Sequence, residues 1–152
     1  MKRVSGVAAG MAAVAMLCSQ PALAAPMSKA EKLRRLDIML MVTGLRCRTT
    51  ADNFQADYGR FTTRHIAELN GASDALKTEL AARHGAGGAS RALDKLSVTM
   101  ANAYGQGHPW LDCAQLKQVA RGLAEANGDA PLVAAADQLL ASSGTPQFAW
   151  AR

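Results

Sequence analysis

The sequence predicts an all-α fold, a small bundle of about five to six helices closed by one disulfide. Apolar residues recur at spacings of three and four along most of the chain, as on the buried face of a helix. Capping patterns and Asn-Gly or glycine-rich segments separate these stretches. We find no alternating run rich in β-branched residues that would indicate a strand. With 152 residues, 49% hydrophobic and 19% charged, the chain has the size and composition of one domain.

The first residues have the parts of a secretory signal peptide. Lys2 and Arg3 form a positive start, and residues 7–17 form an apolar stretch too short to span a bilayer. Ala22-Leu23-Ala24 fits the small-residue cleavage site. We therefore predict a signal peptide over residues 1–24 and a single helical domain over 25–152. Cys18 does not indicate a lipid anchor, because Leu17 precedes it where a small residue is needed.

The charge of the exported domain is modest. Cleavage after Ala24 removes Lys2 and Arg3 and lowers the formal net charge of +5 by two. The remainder allows weak contact with an anionic surface, although it is also ordinary for a soluble domain. We predict no transmembrane segment and no nucleic-acid partner.

The cysteines indicate one disulfide. Cleavage after Ala24 would remove Cys18 and leave Cys47 and Cys113 as a pair. An even number of cysteines in an exported protein favours a bridge, and two buried free thiols are the alternative. Their spacing excludes a C-x-x-C redox motif.

The first helix is predicted from Ser28, which forms an S-x-x-E capping pattern with Glu31. The residues expected on its buried face are Leu33, Leu36, Leu40 and Cys47. Residues 38–45 are apolar almost all round, which is typical of a helix buried on most sides. We therefore expect this helix at the centre of the bundle.

Asp52 and Gln55 repeat the capping pattern and predict a second helix. Its apolar stripe comprises Phe54, Tyr58, Phe61, His65 and Leu69. Asn70-Gly71 is expected to end it, and a third helix is expected over 73–84, ended by the glycine-rich segment 85–88. The pattern leaves open whether these two helices are separate or one bent rod.

Three further helices are expected. The fourth spans about 90–104, with Leu93, Leu96, Met100 and Ala103 facing inward. The fifth starts at Asp112, whose pairing with Gln115 is a capping pattern, and it places Cys113 in its first turn. The sixth starts at Asp129 and Pro131, and a loose tail follows from about residue 142.

Motifs for enzymatic chemistry are missing from the sequence. Residues 85–90 approach the glycine pattern of dinucleotide-binding sites, but they follow a predicted helix where that motif needs a strand. The chain has no phosphate-loop, zinc-protease, calcium-loop, haem-attachment or serine-elbow motif. We therefore predict no catalytic residue, no metal and no cofactor, and whether the fold assembles an enzymatic site stays open.

Six residues are candidates for binding. His65 and Tyr58 lie on the aromatic stripe of the second helix, and His108 and Trp110 lie in the loop before Cys113. These four are candidate contacts for a ligand or partner, although packing within the core is the alternative for each. Arg46 and Arg48 flank Cys47 and are candidate anion contacts, with a solvated surface as the alternative. His84 is expected at a helix C-terminus, where the macrodipole favours it.

Two stretches carry a family resemblance. These are Leu36–Arg48, continued by Phe54–Tyr58, Phe61, His65 and Glu68-Leu69, and the later His108–Cys113. On these residues the chain resembles, over most of its mature length, a family of small exported helical proteins of Gram-negative bacteria. Some members carry the label S-adenosyl-L-homocysteine hydrolase, which denotes a much larger cytosolic enzyme with a nicotinamide dinucleotide and a doubly wound sheet. The resemblance implies a periplasmic location and paired cysteines, and it supplies no catalytic residue.

Together these features predict a periplasmic helical protein with a binding or protein-interaction role. Its partner would be a protein or a small-molecule ligand of the periplasm. One alternative is a small periplasmic hydrolase whose acid and histidine residues are brought together only by the fold. Another is an envelope-stress or chaperone-like protein, which would expose apolar surface to its clients.

Overall fold

The structure is a computed structural model that describes residues 26–140. Within this range it contains six helices and no strand: α1 (Lys29–Cys47), α2 (Gln55–Arg64), α3 (Ile66–His84), α4 (Ala86–Ala103), α5 (Cys113–Glu125) and α6 (Ala130–Leu139). A disulfide joins Cys47 to Cys113. The all-α prediction with one disulfide is therefore confirmed. The predicted signal peptide, 1–24, and the tail from about 142 lie outside the described residues.

Helix α1 is the centre of the bundle, as its apolar sequence predicted, and it contacts each of the other five described helices. The Ser28 side chain accepts a hydrogen bond from the Glu31 amide at 3.1 Å, which satisfies one free donor of the first turn. Burial of α1 is less complete than residues 38–45 suggested, because Met41 and Leu45 are 39% and 47% exposed.

The break between the second and third helices lies at a different residue from the predicted one. Helix α2 ends at Arg64 and α3 begins at Ile66, so His65 separates them, whereas Asn70 and Gly71 lie inside α3. Helix α2 packs mainly on α5, while α3 packs on α1 and α4. The chain must therefore turn between α2 and α3, and packing of α3 outweighs the weak helix propensity of Asn-Gly.

The start of α2 also differs from the prediction. Asp52 lies in the preceding turn, and the residue before the first turn of the helix is Phe54, which is fully buried and has no capping side chain. The Asn53 side chain instead accepts a hydrogen bond from the Gln55 amide at 3.0 Å. Burial of the Phe54 ring and the Asn53 contact, rather than the Asp52–Gln55 pattern, therefore position this end of α2.

Helix α4 begins earlier than predicted. The chain turns at Gly85 alone, where φ is +74°, a conformation that side chains disfavour, and α4 starts at Ala86. Gly87 and Gly88 are therefore helical. Ala103, which was expected to face inward, is exposed.

The last two helices start where the sequence predicted. Asp112 and Gln115 form a complete capping box at the start of α5, with Cys113 in the first turn. Helix α6 follows Asp129 and has a proline in its first turn. The disulfide thus links the end of α1 to the start of α5.

Apolar side chains form two clusters. The main core fills the space between α1, α2, α5 and α6 and includes Leu36, Leu40, Phe54, Phe61 and Leu132. A second cluster, called here the small apolar cluster, joins α1, α3 and α4. It consists of buried Ala30, Leu76 and Leu80, with Ala92, Leu93 and Leu96 partly buried against them. Its incomplete burial places apolar surface beside a cleft described below.

Candidate functional site

Tyr58, a predicted contact residue, has its polar group at a partly buried contact between α2 and α1. Its hydroxyl donates a hydrogen bond to Asp37 Oδ1 at 2.9 Å. Burial and the neighbouring Asp37 carboxylate raise the pKa of the Tyr58 hydroxyl above its ordinary value. The hydroxyl therefore stays protonated and acts as a donor that joins α2 to α1.

Asp37 is the acceptor of this contact, and the sequence analysis did not single it out. Its Oδ2 lies 3.7 Å from Arg34 Nη1, and Arg34 Nη2 donates to Ser97 Oγ at 3.3 Å. Burial raises the pKa of the Asp37 carboxyl, while Tyr58 and Arg34 act in the opposite direction. The i,i+3 spacing of Arg34 and Asp37 was the only local signal, because Tyr58 and Ser97 come from other helices.

His65 is buried at the α2–α3 break, with 1% of its surface exposed. Its Nε2 lies 2.8 Å from the carbonyl oxygen of Leu123 in α5. Because a carbonyl only accepts, Nε2 carries the proton and donates. Nδ1 has no hydrogen-bond partner and lies 3.7 Å from Glu68 Oε1. This nitrogen is enclosed and beyond hydrogen-bond distance of the carboxylate, so the pair does not form an accessible acid–histidine site.

His108 and Trp110 lie together before α5. His108 Nε2 donates to the Leu139 carbonyl at 3.1 Å, and its Nδ1 accepts the Trp110 amide at 3.4 Å. The Trp110 ring meets the His108 ring edge-on, at 4.6 Å between centroids, and Tyr104 stacks on His108 at 6.0 Å. Burial lowers the pKa of the His108 imidazole, although the Leu139 contact acts against this. The neutral imidazole thus ties the loop to the end of α6.

The two candidate anion contacts have different surroundings. Arg46 Nη1 donates to the Gly105 carbonyl at 3.3 Å, so its guanidinium already binds the loop after α4. Arg48 is exposed, and its backbone carbonyl accepts a hydrogen bond from the Asn53 side chain at 3.0 Å. Neither Arg46 nor Arg48 lines either of the two clefts described below.

A second carboxylate, which is buried, was also not among the candidate residues. Asp57 in α2 is buried and is paired with Arg60 and, at 3.3 Å, with Arg121 of α5. The i,i+3 spacing of Asp57 and Arg60 is visible in the sequence, but the contact with Arg121 depends on the packing of α2 on α5. This network links α2 to α5.

The described surface has a cleft between α3 and α4, called here the basic cleft. Its volume is about 400 Å³, within the range of small-ligand sites. It is lined by Glu31 of α1, by Leu76, Leu80, Arg83 and His84 of α3, and by Ala92, Lys95, Leu96 and Thr99 of α4. Most of the small apolar cluster forms its floor. None of the six candidate binding residues lines it.

The rim of the basic cleft is positively charged. Arg83 and Lys95 lie on opposite helices, and neither forms an ion pair with a residue that the structure describes. Glu31 is the carboxylate among the lining residues, and it is paired with Arg35 at 3.0 Å. The cleft therefore has cationic groups available for an anion above an apolar floor.

A cleft on the other side of α3 is also about 400 Å³ in volume but is acidic. Its carboxylates include Glu79, which accepts the Ser28 hydroxyl at 2.9 Å, and Asp129, which is paired with Lys29. The Lys29 contact lowers the pKa of Asp129. Glu79 and Asp129 already have partners within the chain, and the third lining carboxylate, Glu68, has only His65 Nδ1 at 3.7 Å. With one available carboxylate, against two available cations in the basic cleft, this cleft is a weaker candidate.

Within residues 26–140, no cluster of three or more His, Cys, Asp and Glu side chains is arranged to hold a metal ion. No helix in the same range combines the length and apolar composition of a membrane span. No protein-family model, curated protein or solved structure matches this chain. The family resemblance given above stays a prediction.

Proposed function

We propose that this chain is an exported, periplasmic binding protein that holds a small molecule in the basic cleft. The cleft's combination of an apolar floor with available cations on two helices carries the proposal. An apolar pocket with a few convergent polar groups is the usual form of a small-molecule site. The signal-peptide pattern and the predicted family both support export.

In this proposal the candidate residues of the aromatic stripe and the His108 loop stabilise the fold, and the ligand binds elsewhere. His65 and His108 donate to backbone carbonyls, and Tyr58 donates to the partly buried carboxylate of Asp37. These contacts hold helix ends and helix pairs in place. A binding function at the basic cleft agrees with this arrangement better than a hydrolase centred on either histidine.

The test is native mass spectrometry of protein purified from the periplasm of expressing Gram-negative cells. We expect a chain that begins at Ala25, contains the disulfide and carries a small-molecule adduct. The Thr99→Trp variant places an indole at the exposed rim of the cleft, and Ala92→Phe fills its floor. Both are expected to lose the adduct.

Ala103→Phe is the matched control, because Ala103 is exposed on α4 and is not a lining residue. It should keep the adduct. Circular dichroism of each variant checks that the fold is intact. An adduct that survives in a folded Thr99→Trp protein would contradict the proposed site, and a periplasmic chain that retains residues 1–24 would contradict cleavage after Ala24.

A further inference from the structure

We infer that residues 141–152, which follow α6, dock on the bundle by placing Phe148 and Trp150 in an apolar groove between α5 and α6. The groove, called here the α5–α6 groove, is lined among others by Val119, Gly122 and Leu123 of α5 and by Pro131, Ala134 and Gln138 of α6. It is separate from the basic cleft, and the inference does not depend on the proposed function.

The open surface of the α5–α6 groove is apolar. Gly122, Pro131 and Ala134 are exposed along its walls, whereas Leu123 is buried. Among the described lining residues, Gln138 has the one polar side chain, and none of them is charged. Such a surface recognises its occupant through apolar contact rather than through charge.

The groove stays open because its two helices do not pack closely on each other. Helices α5 and α6 each pack on α1, with little contact between them. Gly122 has no side chain and Ala134 has only a methyl group, so the walls leave a groove of about 310 Å³. An aromatic ring inserted there would bury about 150–250 Å² of surface and join α5 to α6.

Residues 141–152 contain the aromatic side chains that this groove lacks. Phe148 and Trp150 are two positions apart, so an extended backbone presents both on the same side. Residues 142–146, Ser-Ser-Gly-Thr-Pro, are of types that favour a turn. This composition favours reversal of the chain after α6, followed by an extended segment that runs back along the helix.

The attachment point brings this segment to one end of the groove. Gln138 lines the groove and lies two positions before Leu140, the last described residue. Helix α6 has 10 residues and is therefore about 15 Å long. Residues 141–147 span up to about 23 Å when extended. Phe148 can therefore reach any point along the groove after a turn.

A segment of the same chain suits this groove better than a free partner does. The described lining residues supply little beyond apolar contact, and a free peptide or small molecule loses translational and rotational freedom when it binds. A segment attached to α6 is present at an effective concentration on the order of millimolar. Weak apolar contact is therefore enough to keep it docked.

Fluorine NMR of the chain purified from the periplasm tests the docking. Growth with 5-fluorotryptophan labels Trp110 and Trp150, and Trp150→Phe identifies the resonance of Trp150. We expect this resonance to be shifted from that of free 5-fluorotryptophan and to respond weakly to exchange of light for heavy water, because the docked indole is removed from solvent. Dilution should not change the shift, since the groove and the segment belong to one chain.

Variants on two helices locate the groove. Ala134→Arg places a charge in its wall and should return the Trp150 resonance to the free position. Ala82→Arg is the matched control, because Ala82 is exposed within α3 and is not a lining residue, and it should leave the resonance shifted. Chymotrypsin should cleave after Phe148 at least about tenfold faster in Ala134→Arg than in Ala82→Arg or wild type, because a docked segment must be released before cleavage.

Variants within residues 141–152 test the same contact without altering the bundle. Phe148→Arg should release Trp150, whereas Ala149→Arg adds the same charge on the other side of an extended segment and should leave Trp150 docked. Circular dichroism checks the fold of every variant. This second pair decides the question if Ala134→Arg does not fold.

A Trp150 resonance at the free position in the wild-type chain would overturn the inference. A shifted resonance that persists in folded Ala134→Arg would show that Trp150 docks elsewhere, and the assignment to this groove would be wrong. If the shift is lost on dilution while size-exclusion chromatography shows a dimer dissociating, the segment fills the groove of a second copy, and docking within one chain is wrong.

Discussion

His65 Nε2 donates a hydrogen bond to the carbonyl oxygen of Leu123, 2.8 Å away and 58 positions later in the chain. The contact joins the break between α2 and α3 to the last turns of α5. It satisfies a carbonyl near the end of α5, where helices leave acceptors unpaired. It also fixes the imidazole tautomer, because a carbonyl has no proton to give.

His65→Leu should lower the free energy of unfolding by about 1–2 kcal/mol. Leucine removes the donor while keeping an apolar side chain in the core. The Leu123 carbonyl keeps a second contact, with the Ala126 amide at 3.3 Å, which limits the loss. Urea denaturation measures the difference.

Glu68→Gln is the control for this change and should alter stability by less than about 0.5 kcal/mol. Its carboxylate is 3.7 Å from His65 Nδ1, which is beyond hydrogen-bond distance. A loss equal to that of His65→Leu would mean that an ion pair, rather than the Leu123 contact, is the main interaction of His65.

The stability of the wild-type protein should depend on pH through Asp37, and Asp37→Asn should remove this dependence. Burial raises the pKa of this carboxyl in the folded state above its ordinary value of 3.8. The folded state therefore binds the proton more tightly, so the contribution of Asp37 is fully present below pH 3.8 and is lost as pH rises through the raised pKa. Asparagine has no such titration.

We therefore expect wild type to lose stability relative to Asp37→Asn as pH rises through this window, with a constant difference at neutral pH. Urea denaturation across a pH series measures it. Tyr58→Phe, which removes the hydroxyl donor but keeps the carboxyl, should shift the window to higher pH. A pH-independent difference between wild type and Asp37→Asn would contradict this assignment.

The same substitution should have opposite effects at two helical glycines. A Cβ at Gly71 in α3 would have no atom within 4 Å, whereas a Cβ at Gly44 in α1 would lie 3.3 Å from the Phe54 ring. Phe54 is fully buried and has little room to move. We expect Gly71→Ala to stabilise the protein by about 0.5–1 kcal/mol through helix propensity and reduced unfolded-state entropy.

Gly44→Ala should instead destabilise the protein by about 1 kcal/mol, because the strain against Phe54 exceeds the gain in propensity. Thermal denaturation of both variants compares the two directly. A Gly44→Ala protein as stable as Gly71→Ala would show that the Phe54 ring adjusts freely.

Replacing both bridged cysteines by alanine should lower the free energy of unfolding by about 4 kcal/mol. The bridge spans a sequence separation of 66, and closing a loop of this length restricts the unfolded chain. Urea denaturation with and without reductant measures the loss. Reductant should destabilise wild type and leave the double variant unchanged, and a loss below about 1 kcal/mol in the double variant would contradict this account.

Local signals in the sequence predicted the starts of several helices correctly. Ser28 and Asp112 cap α1 and α5, because a side-chain acceptor three residues before an amide is a local feature of the chain. The pairing of Cys47 with Cys113 likewise followed from counting cysteines after the predicted cleavage. Helical periodicity alone was enough to predict the fold class.

The sequence did not predict the hydrogen-bond partners of the candidate residues. The acceptor of Tyr58 lies 21 positions away, and those of His65 and His108 lie 58 and 31 positions away. In each of these contacts the partner lies on another helix, so only helix packing decides which groups meet. The basic cleft was missed for the same reason, because its cations come from two helices whose pairing the sequence pattern does not specify.

The sequence by itself determined that the chain is helical, where α1, α5 and α6 begin, and which cysteines pair, since caps, periodicity and cysteine number act locally or by count. Tertiary structure alone decided that the chain turns at His65 rather than at Asn70-Gly71. An Asn-Gly pair in a helix costs roughly 1 kcal/mol or slightly more, and burying Ala72, Leu76 and Leu80 on α3 outweighs that cost. Packing energies between helices, summed over many contacts, thus overrule a local stop signal.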